Sequence, residues 1–161
     1  MPHPSHDGLP PPIALRVEVK TQRMHLLLGG EVDRTFEIST SRFGLGSEEG
    51  SFKTPTGHFL ISEKIGDGAP SGAIFRSRQP TGELAMPGGE EDLVLTRILW
   101  LSGVDRYNAN THSRYIYIHG TNQEHLIGQP ASHGCIRMRN EEIIILYDLV
   151  PLGTPIEILE T

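Results

Sequence analysis

The chain has 161 residues, a length that suits one domain able to bury roughly two-thirds of its unfolded surface. Apolar residues make up 37% and Gly and Pro number 18 and 12, a mixture that favours many short strands and turns over a helix bundle. A net charge of −6 with no basic run offers no phosphate track for a nucleic acid, and the single cysteine excludes both an intrachain disulfide and a multi-cysteine zinc site.

Residues 1–12 are polar and rich in Pro and His, and they read as a disordered N-terminal tail ahead of a domain over 13–161. They carry neither a basic n-region nor an apolar h-region, and no stretch is long enough for a membrane span. The expected location is therefore cytoplasmic, or periplasmic if the sequence is a piece of a longer one. Residues 13–20 alternate, with Leu15, Val17 and Val19 on one face, and predict a half-buried strand. Residues 24–28 predict a second strand, and Gly29-Gly30 predicts a hairpin into a third over 32–39. After a Gly/Ser-rich segment containing Lys53-Thr54-Pro55-Thr56-Gly57, residues 59–63 resume as a strand. Residues 66–92 read as a long loop dense in Gly and Pro, the kind that is usually functional.

Residues 94–101 form an apolar run expected to be a central strand, and 114–119 alternate, with Tyr115, Tyr117 and His119 on one face. Asn140 is a plausible helix N-cap, followed by Glu141 and Glu142, by the stripe Ile143, Leu146, Tyr147 and Val150, and by Pro151 as a stop. A last strand is expected over 155–159. The fold class is mainly β, with one helix directly after the segment holding the cysteine.

That segment is Ser132-His133-Gly134-Cys135-Ile136-Arg137. A lone cysteine is most often a small buried hydrophobe. This one follows Ser-His-Gly just before the expected helix start, where the dipole favours a thiolate. Gly134 permits a sharp turn that aims the Gly134 and Cys135 amides at one point, as an oxyanion hole requires. A thiol nucleophile needs a base in reach, and both His133 and His119 are candidates. Arg137 is a candidate for holding a substrate carboxylate, with Ser132 and Tyr117 beside it in the substrate-binding set. A zinc site of His119, His133 and Cys135, a thiol peptidase with ordinary triad logic, and a non-catalytic peptide binder are the competing readings.

The blocks Ile118-His119-Gly120-Thr121, Ser132-His133-Gly134-Cys135-Ile136-Arg137-Met138 and Lys53-Thr54-Pro55-Thr56-Gly57 resemble the YkuD-type L,D-transpeptidase catalytic domain, over roughly residues 13–159. The resemblance implies a β-sandwich of mixed sheets and, as partner, a peptidoglycan stem peptide or muropeptide, with no cofactor or metal. It implies that Cys135 attacks the carbonyl of the third stem residue, a diamino acid linked through its L-centre, and expels D-alanine through a thioester. It makes His119 the general base, oriented by the Gly120 carbonyl, and gives His133 an assisting place. Many members carry Asn where this chain has Arg137. Water, a D-amino acid or a second stem would resolve the thioester. For a cytoplasmic enzyme, the expected outcome is L,D-carboxypeptidase trimming of recycled muropeptides, with the 66–92 loop covering the site.

Overall fold

The computed structural model describes residues 10–161, so residues 1–9 of the expected tail lie outside the described part. Pro10, Pro11 and Pro12 are exposed and belong to no regular element. Ten strands follow in chain order: β1 (Ile13–Glu18), β2 (Arg23–Leu28), β3 (Glu31–Glu37), β4 (Gly57–Ile65), β5 (Ala73–Arg76), β6 (Gln79–Leu84), β7 (Val94–Gly103), β8 (Tyr117–Gly120), β9 (Ile136–Met138) and β10 (Pro155–Leu159), with the helix α1 (Asn140–Leu149) between β9 and β10.

The opening meander forms as the alternation requires. Leu15 and Val17 are buried on β1, and Gly29 and Gly30 turn β2 into β3 with φ of 60° and 86°, values that suit glycine. The strand order runs β3-β2-β1-β10-β4-β7-β5-β6, and β8 pairs with β7 and carries β9. The sheet is mixed: β1 lies parallel to β10 and β8 parallel to β9, while the other pairs are antiparallel. Just past β3, the Ser39 and Arg137 backbones exchange both N–H···O bonds at 2.9 Å. The hydrogen-bonded path thereby returns to β9 and closes around the core. Leu15, Met24, Phe59, Leu99, Ile118, Ile136 and the helix residues Ile143 and Leu146 share that core.

Three local expectations change. The 66–92 segment is not one loop: β5 and β6 form a hairpin against the start of β7. The last alternating strand begins at Tyr117 rather than Arg114, and Tyr115 stands outside it at φ 59°. The helix does not follow Cys135 directly, because β9 intervenes; its N-cap is Arg139, and Asn140 is its first residue. The Glu124 carboxylate accepts from the Asn140 N–H at 2.7 Å and so satisfies one of the free donors at the helix start. The Asn140 side chain instead donates to the Thr121 carbonyl at 2.8 Å and accepts from Thr96 at 2.6 Å. This ties the helix start to the end of β8 and to the bulge in β7.

Candidate active site

On β8, successive side chains point to opposite faces. Ile118 enters the main core, whereas Tyr117 joins a second apolar cluster with Ala73, Phe75, Ile98 and Trp100, against which Cys135 packs. His119 is buried at 2% exposure, and its Nδ1 lies 2.5 Å from the Gly120 carbonyl oxygen. A carbonyl only accepts, so Nδ1 carries the hydrogen and Nε2 keeps its lone pair. Burial pushes the His119 pKa below the ordinary histidine value, against the opposing pull of the Asp92 charge and the Gly120 carbonyl. The ring is neutral at neutral pH, with Nε2 able to take a proton.

The Cys135 sulfur sits between two backbone groups of the approach to β8. The Tyr117 N–H donates to Sγ at 3.3 Å, and the thiol donates to the Tyr115 carbonyl at 3.3 Å. Burial pushes the thiol up to about 12; the Tyr117 N–H opposes this, Asp92 adds to it, and Arg114 and Arg137 oppose it. The thiolate stabilisation expected from the helix dipole is therefore not what the fold supplies. A strand separates Cys135 from the helix, and loss of solvent dominates.

The turn that presents Cys135 is fixed from three sides. Ser132 is fully buried; its Oγ donates to the Cys135 carbonyl at 2.7 Å and accepts from the Gly134 N–H at 3.2 Å. Thr54 Oγ1 donates to the Gly134 carbonyl at 3.0 Å and accepts from the Ser41 N–H at 2.9 Å, which gives the Lys53-Thr54-Pro55 element a structural purpose. Gly134 has φ 122°, and a Cβ there would meet the Lys53 carbonyl oxygen at 3.3 Å. Ser132 Oγ thus faces the turn, and it engages the Gly134 N–H, one of the two amides expected to form an oxyanion hole.

Arg137 differs too. Its side chain is completely buried, Nη1 bonds Asp92 Oδ1 at 3.0 Å and Gln123 Oε1 at 2.6 Å, and Nη2 reaches Ser39 Oγ at 3.3 Å. A guanidinium so enclosed holds protein groups in place instead of offering itself to a substrate carboxylate. His133 is exposed, with Nδ1 at 2.9 Å from the other oxygen of the same Asp92 and its ring flanked by Phe43 and Phe52. Tyr117 is mostly buried, and its hydroxyl accepts from Arg78 Nη1 at 3.3 Å. With Phe75, Arg78, Val94, Ile98 and Tyr115 it lines a cavity of about 380 Å³ beside the apolar cluster that holds Cys135.

Asp92 ties His133 to Arg137 and adds its charge at His119, yet sequence reasoning missed it. Burial works to raise its carboxyl, but His119, His133 and Arg137 together hold it below the usual carboxylate range. Only its place at the end of the acidic run Glu90-Glu91-Asp92 was visible, and nothing there separates it from its neighbours. Among the described residues, no group of three or more His, Cys, Asp or Glu side chains is arranged to hold a metal ion.

A model of the L,D-transpeptidase catalytic domain matches residues 12–158. The chain is 30% identical over 155 residues to the putative L,D-transpeptidase YkuD of Bacillus subtilis, covering 94% of this chain and 71% of that protein. It is 28% identical over 144 residues to the putative L,D-transpeptidase YqjB of the same organism, covering 89% of this chain and 69% of that protein. In fold it is similar to an L,D-transpeptidase from Mycobacterium smegmatis, with a TM-score of 0.61 at 20% identity. It is similar also to L,D-transpeptidase 3 from Mycobacterium tuberculosis carrying a faropenem-derived adduct, with a TM-score of 0.61 at 18% identity. The chain covers 59% and 61% of those two solved chains.

Proposed function

The chain belongs to the L,D-transpeptidase catalytic domain family, and from that premise we propose that it performs cysteine-dependent acyl transfer on peptidoglycan stem tetrapeptides. One observation carries this reading. The strand that holds His119, buried with its Nδ1 tied to the Gly120 carbonyl, also presents its Tyr117 N–H to the Cys135 sulfur. A thiol pushed up to about 12 is protonated at rest, so attack requires a neutral base, and His119 is the histidine kept neutral by burial.

In the proposed reaction the Cys135 S–H proton passes to His119 Nε2 as sulfur bonds the carbonyl carbon of the third stem residue. Collapse breaks the C–N bond to the terminal D-alanine, whose amine takes that proton, and a thioester remains on Cys135. The Cys135 N–H is the candidate donor to the oxyanion, the Gly134 N–H being engaged. His133 shapes the site through Asp92.

An amine resolves the thioester to a 3–3 cross-link or an exchanged stem, and water resolves it to a tripeptide. We propose the hydrolytic outcome, L,D-carboxypeptidase action, for free muropeptides in the cytoplasm. The β5–β6 hairpin is proposed to bias the choice, so that shortening its tip changes the ratio of hydrolysis to transfer.

Mass spectrometry of the purified protein with a stem tetrapeptide, alone and with an acceptor amine, tests the reading. The expected result is an acyl adduct on Cys135 with release of D-alanine, absent in Cys135→Ser. No adduct and no release with Cys135 intact and reduced would refute it. Inactivation by iodoacetamide but not by a chelator separates thiol chemistry from a zinc hydrolase.

A further inference from the structure

We propose that Arg78, at the tip of the β5–β6 hairpin, is a specificity residue that binds a second carboxylate on the side chain of the third stem residue. The assignment rests on the acyl-transfer reading above and deepens it.

Three observations converge on Arg78. First, Ser77 and Arg78 form the two-residue hairpin tip with φ of 47° and 64°. A tip with both residues at positive φ ordinarily takes Asn-Gly or Gly-Gly, because a Cβ is crowded there. Holding an arginine in that backbone is a local cost, and such costs gather at ligand sites.

Second, the guanidinium is aimed rather than free. It lies over the rings of Trp100 and Tyr115, at 5.1 Å from each centroid, and donates to the Tyr117 hydroxyl at 3.3 Å. Stacking leaves the edge of the plane open for a fork-like pair with a carboxylate. Among the described residues no carboxylate lies within ion-pair distance of Arg78, whereas Arg137 has one and Arg139 has two.

Third, Arg78 lines the cavity of about 380 Å³ together with Tyr117, the residue whose backbone N–H touches the Cys135 sulfur. The cation and the nucleophile thus stand one tyrosine side chain apart. That span selects between the two carboxylates of a stem. The carboxylate of the leaving D-alanine is one residue from the reacting carbonyl, about 3.8 Å along the chain. The far carboxylate of a diamino diacid is carried several bonds out along its side chain, and it fits the longer reach. With Arg137 sealed against Asp92, Arg78 is the cation left facing the cavity.

The test compares three stem tetrapeptides, read as D-alanine release and Cys135 acylation. One is unmodified with a diamino diacid third, one has the far side-chain carboxylate amidated, and one has the terminal carboxylate amidated. Wild-type protein is expected to prefer the unmodified peptide over the side-chain amide by about tenfold or more in kcat/KM. Arg78→Gln should reduce that preference to near unity, and Arg78→Lys should keep part of it. Thermal melting of the variants checks that the hairpin is intact. If Arg78→Gln keeps the wild-type preference, or changes only discrimination at the terminal carboxylate, the assignment fails while the acyl-transfer reading stands. If no peptide acylates wild-type Cys135, both fail together.

Discussion

Asp92 divides its two carboxylate oxygens between two side chains: Oδ1 meets the enclosed guanidinium of Arg137 at 3.0 Å, and Oδ2 meets the exposed ring of His133 at 2.9 Å. One side chain from the long 66–92 connection therefore neutralises a buried charge and orients a surface histidine of the cysteine segment.

Asp92→Asn should destabilise the fold by about 3–5 kcal/mol, because it strips the counter-charge from a guanidinium with no exposed surface. Urea unfolding at neutral pH measures this. The folded carboxyl titrates below its unfolded value of about 3.9, so its contribution is complete above that value and is lost as pH falls through the folded pKa. The variant should lack this part of the acid destabilisation.

His119 and His133 should separate in kinetics. His119→Gln is expected to lower kcat by about 10²–10⁴, the size of a general base. His133→Ala, which removes a ring on the exposed side of the turn, should have the smaller effect. Equal losses would return the choice of base to open ground.

Because burial lowers the His119 pKa, the neutral base persists below the ordinary histidine value of 6.5. The acid limb of kcat/KM is expected below that pH, as a stopped assay of D-alanine release can show.

The protonated thiol predicts sluggish alkylation. At pH 7.5, iodoacetamide should modify native Cys135 more slowly than the same cysteine in the urea-unfolded chain, and the gap should close as pH rises toward about 12. All label arises from one residue, since the chain has a single cysteine.

Ser132→Ala removes bonds to the Gly134 N–H and the Cys135 carbonyl inside a sealed turn. A loss of about 1–3 kcal/mol in stability and a fall in kcat larger than any change in KM are expected. Ser132→Thr tests whether the hydroxyl alone suffices.

Where burial is one-sided, the sequence spoke clearly. Leu15 and Val17 on β1, and Ile143, Leu146 and Tyr147 on α1, lie on the faces their spacing predicts. The β5–β6 hairpin was hidden because every residue of β6 is exposed and its sequence includes Pro80 and Gly82, so no alternation marks it. Asp92 and Arg78 were hidden for another reason: their side-chain hydrogen-bond partners lie 39 to 45 residues away, and local pattern carries no information about such meetings. Arg137 was legible as unusual, but its enclosure depends on Ser39, Asp92 and Gln123 arriving from three separate segments.

The place of β10 between β1 and β4 has a consequence for how the chain is made. The meander β1–β3 has no ladder to β4 until residues 155–159 arrive, because β10 alone joins them. As the polypeptide leaves the ribosome, its first three strands must therefore wait through more than a hundred residues of synthesis for their neighbour. Such distant pairing makes folding slow and leaves the β1 edge open meanwhile. A nascent chain stalled before residue 155 should be the species that chaperones hold and proteases cut.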